Sequence, residues 1–386
     1  MNRKERRAGM SGRAELPPGA KPADPLVLHA MGVDAFRAGQ LEIAADLIGK
    51  AIAANDQVPA FHYNLGVVQK ARGKLKEAAA NYQHAIALNP DHTNAHNNLG
   101  NIWKSLGNPD KARASFERAL LLKPDNPDTH YNLGVLHGEA GDAEQAARHF
   151  QRCLEQDHED SRGARILLAR LGHGRAPDHA SHAQMQSVYN ARAHFWDQES
   201  RYFGHLLAAQ ALQDHANRAA LDVLDIGCGT GLVGALVRPV ARKLDGVDLS
   251  AGMLEKAREK NVYDRLEQAD MVSFLSAHKD RYDAILGAAI LIHFGDLRPI
   301  FQAVAQSLRA NGLFIFTLFP NENSDFAVAA SAPLAQSGCY AHSAAYVERL
   351  AGACGFSVLK LEQVVHEHDP DGNPVSGFVT VLRRPR

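Results

Sequence analysis

Residues 223–231 read Val-Leu-Asp-Ile-Gly-Cys-Gly-Thr-Gly, an apolar run that opens into three alternate glycines and continues into the apolar stretch 232–237. A strand that ends on Gly227, Gly229 and Gly231 can turn sharply and approach a ligand closely, and a helix starting there directs unpaired N–H groups outward. Acids follow at three successive strand ends. Asp225 stands two residues before the first glycine, where a carboxylate repels a pyrophosphate and attracts an ammonium group. Asp248 ends the next apolar strand, 17 residues past Gly231, where a carboxylate can accept from both hydroxyls of a ribose. Asp270 closes a third short strand, placed to accept from an adenine amino group.

A ligand with a ribose, an ammonium group and no phosphate fits S-adenosylmethionine. The segments Asp-Ile-Gly-Cys-Gly-Thr-Gly, Gly-Val-Asp-Leu-Ser followed by Met253, and Ala269-Asp270-Met271 resemble class I S-adenosylmethionine-dependent methyltransferases, over residues 187–386. The resemblance implies an α/β, Rossmann-like domain with a seven-stranded sheet and cofactor contacts from Met253 and Met271 beside the glycines and acids. It also implies that the segment 189–197 covers the cofactor, with Tyr189 and Phe195 in a lid; packing of these rings against the sheet is the other reading. Residues 229–234 also satisfy the dinucleotide pattern Gly-x-Gly-x-x-Gly, which would make the chain a nicotinamide-dependent oxidoreductase. Asp225 has the wrong sign for that pyrophosphate, and no lysine or arginine follows within the turn.

The acceptor side is less determined. The run 282–290 predicts a buried fourth strand. Beyond it stands Ala-Ala-Ile-Leu-Ile-His-Phe at 288–294, where enzymes that methylate amide or base nitrogens carry Asn/Asp-Pro-Pro-Tyr, which argues against DNA and glutamine amides. His293 is the candidate general base, since imidazole titrates near the working pH. A helix over 297–310, a strand over 313–319, a helix over 343–354 and strands over 356–365 and 375–383 complete the sheet. The insertion 320–342 faces the substrate, because ligands of open α/β sheets lie beyond the carboxyl strand ends. Within it, Tyr340-Ala-His342-Ser343 matches a pattern of the bacterial tetratricopeptide-linked methyltransferases that the chain resembles. Tyr340 and His342 are candidates to hold or deprotonate the acceptor; equally, Ser343 caps the helix and His342 precedes it. His366, His368, Asp369 and Asp371 read as a solvated turn between the last two strands.

Ahead of this half lies a repeat of period 34, carried by Gly32, Gly66, Gly100 and Gly134 and by Gly39, Gly73, Gly107 and Gly141. Bulky Ile48, Tyr82, Phe116 and Phe150 recur in phase, as do Ala44, Ala78, Ala112 and Ala146. The pattern resembles four tetratricopeptide repeats over 25–160, each an antiparallel helix pair that buries its face only by stacking. An all-α solenoid is therefore predicted, with a capping helix over 161–171 and a linker through 172–179 within 161–186. Asn64, Asn98 and Asn132 recur at one position of the first helices, where a carboxamide ladder can hold an extended protein or peptide backbone. His62, His96 and His130 share the period and read as packing groups, not metal ligands.

The chain has 386 residues and a formal charge of −1, so no global basic field argues for nucleic acid. No apolar run reaches the ~18 residues of a membrane span. Four scattered cysteines fit a reducing compartment and a cytoplasmic protein. Residues 1–24, with Arg3, Lys4, Arg6 and Arg7, read as a disordered basic tail. Two classes of function follow: an enzyme methylating a hydroxyl or amine of a protein or small molecule, or a repeat scaffold whose second half only binds the cofactor.

Overall fold

The 34-residue period forms four helix pairs: α1 (Pro25–Arg37) with α2 (Leu41–Ala54), α3 (Pro59–Ala71) with α4 (Leu75–Leu88), α5 (Thr93–Ser105) with α6 (Pro109–Leu122), and α7 (Pro127–Glu139) with α8 (Ala143–Gln156). The computed structural model describes residues 24–199, 202–217, 220–322, 324–329, 339–369 and 371–386; the basic tail and part of the 320–342 insertion lie outside them. Two compact units divide the chain, one up to Pro124 and one from Asp125 to Arg386.

The recurring glycines and bulky residues are partners. A methyl group added to Gly66 would meet Tyr82 Cε1 at 2.7 Å, and Gly32, Gly100 and Gly134 face Ile48, Phe116 and Phe150 at 2.6, 2.5 and 2.6 Å. The small residue lets the two helices of a pair close on the large one. Gly66→Ala is therefore expected to lose about 1–3 kcal/mol through overpacking, whereas Gly49→Ala, with nothing within 4 Å of the new methyl, should gain about 0.5–1 kcal/mol of helix propensity. Denaturant unfolding of the two variants checks the contrast; equal midpoints would refute the pairing argument.

The expected asparagine ladder has local partners. Asn64 donates from Nδ2 to Nε2 of His29 at 2.7 Å, and Asn98 donates to the Tyr63 hydroxyl at 3.1 Å, so each ties its helix to the preceding repeat. Asn132 holds the equivalent position on α7, half-buried. His62 and His96 bond through Nε2 to the carbonyls of Asp56 and Pro90, both at 2.9 Å.

In the second unit, the fourth repeat is followed by the cap α9 (Ala164–Arg170), whose Leu167 and Leu168 pack with Phe150 and Cys153. The stretch read as a linker pairs with the sheet loops: Gly295 N donates to Asp178 O and Ala180 N to His293 O, both at 2.8 Å. Next comes α10 (His182–Arg192), and then the sheet: β1 (Leu221–Ile226), β2 (Ala241–Asp248), β3 (Arg265–Gln268), β4 (Tyr282–Gly287), β5 (Leu308–Pro320), β8 (Ser357–His368) and β9 (Pro374–Arg383).

The main sheet has the order β3-β2-β1-β4-β5-β9-β8, parallel except for β9, with short β6 (Phe326–Val328) and β7 (Tyr340–His342) added beyond the end of β5. β1 and β4 are buried along their whole length, as central parallel strands must be. One expectation is corrected. His366 is not in a solvated turn: it is fully buried on β8, bonded through Nε2 to Thr317 Oγ1 at 3.0 Å, and its Cβ fills the space left by Gly377. The antiparallel pairing with β9 extends the strand through His368, and the turn is confined to the residues after it. Among the described residues, no helix is long and apolar enough to cross a membrane.

Candidate active site

The carboxyl ends of β1, β2 and β4 open into a cavity of about 660 Å³. At its floor the loop after β1 takes left-handed conformations at Gly227 (φ +63°) and Gly229 (φ +54°). Nothing lies within 4 Å of where a Cβ on Gly229 would stand, so the backbone there is bare toward the cavity. Asp248 closes the loop from the side: its Oδ2 accepts from Gly229 N at 2.9 Å and its Oδ1 from Ser250 N at 2.8 Å. Burial pushes this carboxyl up, and the backbone donors pull it back. A carboxylate has about four lone-pair sites, so both oxygens keep one for a ligand.

Asp270 lines the same cavity and caps the helix Met271–Ser276, its Oδ1 accepting from Ser273 N at 2.8 Å. Its Oδ2 lies 3.5 Å from His182 Nε2. Met253 and Met271 add apolar walls. Gly231 (φ +88°) begins the helix Leu232–Val237 and is braced by its N–H to Cys228 O at 2.9 Å.

Asp225 is placed otherwise than expected. Among the described residues it does not line the cavity; it is buried behind the loop, its Oδ2 accepting from the Tyr263 hydroxyl at 2.7 Å and its Oδ1 unpartnered. Burial raises it to about 7, against the lowering effect of the Tyr263 bond. The reason lies in three glycines: Cβ atoms on Gly231, Gly234 and Gly246 would meet the Tyr263 ring at 3.0, 2.3 and 2.9 Å. Gly234, the last glycine of the dinucleotide-like pattern, therefore makes room for the Tyr263 ring.

α10 forms one wall. The Tyr189 hydroxyl is 2.8 Å from Nε2 of His293, which sits in the single turn Leu291–His293 after β4. Both rings line the cavity. Burial lowers His293 to about 4, so the ring is neutral, and it shares one hydrogen bond with the Tyr189 hydroxyl. One residue on, Asn190 Oδ1 accepts from Ser250 Oγ at 2.7 Å and from Gly252 N at 3.0 Å, fastening α10 to the loop after β2. Asp197 accepts from Thr230 Oγ1 and pairs with Lys260, and Trp196, not Phe195, faces the cavity. Neither Asn190 nor Asp197 carried a sequence signal, because each partner lies at least 33 residues away.

Tyr340 and His342 are not brought to the cavity. They share one face of β7 by the two-residue period of a strand, and that face is buried: the Tyr340 hydroxyl donates to Pro177 O, and His342 Nε2 bonds to Gly295 O at 3.0 Å. Both fix the 177–180 and 294–296 stretches, and Ser343 caps the helix Ala344–Ala353 through Tyr346 N. On the other side of β7's start, Cys339 lines the cavity. The cavity is also lined by Tyr202 and by His205, Glu367 and Arg192, the last three of which did not stand out in the sequence.

The donor set suits a ribose and an adenine: Asp248 offers two acceptor sites over the bare Gly229 backbone, and Asp270 faces the same space. A family model described as a methyltransferase domain matches residues 223–312, and tetratricopeptide-repeat models match 69–107 and 105–171. Among curated proteins, the malonyl-[acyl-carrier protein] O-methyltransferase of Acetivibrio thermocellus is 31% identical over 109 residues, 28% of this chain and 38% of that protein. The ubiquinone biosynthesis O-methyltransferase of Hydrogenovibrio crunogenus is 27% identical over 148 residues, 35% of this chain and 61% of that one. The chain thus spans less than two thirds of either relative. A solved structure of the Burkholderia thailandensis 1,6-didemethyltoxoflavin-N1-methyltransferase with S-adenosylhomocysteine bound is 19% identical, with a TM-score of 0.42, covering 53% of this chain and 87% of that one.

Proposed function

We propose that this chain, which carries tetratricopeptide repeats followed by a class I methyltransferase domain, transfers the methyl group of S-adenosylmethionine to a hydroxyl or amine of a protein or small molecule. The observation that carries this reading is Asp248. Its carboxylate is held by two backbone N–H groups at the rim of a cavity whose floor is glycine backbone, leaving acceptor sites where a ribose diol would lie. The sulfonium of the cofactor supplies a ready leaving group. The chain's own residues bind, orient and keep water away, which is where most of the acceleration of such a transfer arises.

The Tyr189–His293 pair is a positioning element of this site. The hydrogen bond between the Tyr189 hydroxyl and His293 Nε2 fixes the two rings against each other at the cavity wall. The repeats, on this reading, bind a protein or peptide partner, and four cysteines that form no disulfide agree with a reducing, cytoplasmic setting. Calorimetric titration of the whole chain with S-adenosylmethionine, with NAD as control, tests the proposal. Micromolar affinity for the first and none for the second is expected, in the ordinary range of such sites. Preference for NAD would reverse the reading of the glycine loop, and binding without any transfer to cellular acceptors would favour the scaffold.

A further inference from the structure

We propose, resting on the methyl-transfer reading above, that the acceptor is an amine held as its ammonium form by Glu367, which takes up the proton that the nitrogen must lose before it is methylated. Glu367 is placed for this by the sheet. β8 is antiparallel to β9, which is antiparallel to β5, so the carboxyl end of β8 lies on the same edge as those of β4 and β5. The pairing with β9 slips between Val365 and Glu367, leaving His366 as an extra residue. A bulge of this kind re-aims the next side chain: His366 goes into the core and Glu367 into the cavity wall.

No described residue gives this carboxylate a strong partner. Among the described residues, the nearest basic nitrogen is His366 Nδ1 at 3.9 Å, and that buried ring is held neutral. Arg192 lines the cavity and stabilises the anion at longer range, without an ion pair. Burial raises the Glu367 carboxyl above its ordinary value, which suits a group that receives a proton. Beside it, Tyr202 is locked by a backbone bridge to Glu367, its hydroxyl buried near Thr317 without a well-aligned bond, and the His205 ring, 5.4 Å from that of Tyr202, has a buried, unpartnered Nδ1. An anion, unpartnered polar atoms and the Tyr202 ring beside them form the surroundings that attract an organic cation, while the Trp196 ring already carries the Arg192 guanidinium 5.0 Å from its centroid.

The alternatives fit less well. A hydroxyl acceptor needs a base, and Nε2 of His293 is already hydrogen-bonded to Tyr189. A carboxylate acceptor would face Glu367 at like charge. With an amine the step balances: the ammonium N–H proton passes to a Glu367 oxygen, and the freed nitrogen lone pair forms a bond to the sulfonium methyl carbon. The C–S bond breaks with its electron pair left on sulfur, and the product is a methylammonium.

The test uses the whole chain saturated with S-adenosylhomocysteine and titrated with phenethylamine, 2-phenylethanol and phenylacetate, probes of one size that differ in the head group. The amine is expected to bind at least about 10-fold tighter than the other two, as a charge-assisted hydrogen bond allows. Glu367→Gln should erase that preference and leave S-adenosylhomocysteine affinity unchanged. Equal affinity for the three probes, binding of none, preference for phenylacetate, or an amine preference that survives Glu367→Gln would overturn the proposal. So would loss of S-adenosylhomocysteine binding in the variant, which would assign Glu367 to the cofactor. A wild-type chain that fails to bind S-adenosylhomocysteine would remove the methyl-transfer reading itself, and that is measured first.

Discussion

Asp248→Ala is expected to weaken S-adenosylmethionine binding by about 10- to 100-fold, or ~1.4–2.7 kcal/mol, since two hydrogen bonds to a charged acceptor are lost and water replaces part of them. The carboxylate acts twice, however. It also satisfies the N–H groups of Gly229 and Ser250, and removing it leaves two donors that only water can serve. Part of the loss will therefore come from a loosened loop. Asp248→Asn separates the effects: its carbonyl can still accept from one of the two donors, but its NH₂ faces the other donor to donor. The alanine variant should lose ligand affinity with a modest drop in melting temperature, and the asparagine variant should bind no better. Full affinity in Asp248→Ala at unchanged stability would remove this residue from the cofactor site.

The second large effect is on stability against pH. Burial holds His293, His342 and His366 at about 4, below the ordinary value of 6.5. Between these values the unfolded chain takes up protons that the folded chain refuses, so stability is lost as pH falls from about 6.5 toward 4. Asp225 works in the opposite sense: raised to about 7 from an ordinary 3.8, it favours the folded state at low pH and loses that contribution as pH rises through 7. Over these four groups the net is two protons in favour of the unfolded state, a slope near ~2.7 kcal/mol per pH unit at its steepest, and half-buried His149, also lowered to about 4, acts in the same sense. Denaturant melts at pH 7, 6 and 5 should show the midpoint falling. His342→Gln, which keeps a donor for Gly295 O, should flatten the curve by about one proton, or ~1.4 kcal/mol per pH unit. An unchanged slope would mean that the ring does not resist protonation.

What the sequence disclosed is what is local. The glycine loop and the acids at strand ends are each written in a short stretch and the 34-residue period repeats along the chain; the loop, Asp248, Asp270 and the helix pairs stand where expected, and Asp225 does not. Contacts between distant stretches were not legible. Tyr263 reaches Asp225 across 38 residues and Tyr189 reaches His293 across 104, so the roles of Asp225 and His293 changed once their partners were known. The stretch around His366 misled because His-Glu-His-Asp followed by proline and glycine has the composition of a turn, while antiparallel pairing to β9 carries the strand through it. Tyr340 and His342 carried a recurring pattern, but their alternation on β7 turns both away from the cavity.

The placement of the stretch between the cap and α10 bears on how the molecule can be dissected. Residues 177–180 bond the loops that carry His293, Gly295 and Tyr340, and the fourth repeat belongs to the same compact unit as the sheet. A fragment begun at residue 187 would leave Gly295 N without its acceptor on Asp178 and His293 O without its donor on Ala180, and bare the wall behind Tyr189. A piece that keeps this wall within its compact unit starts near Asp125, so the catalytic half moved as that unit takes one repeat along with it.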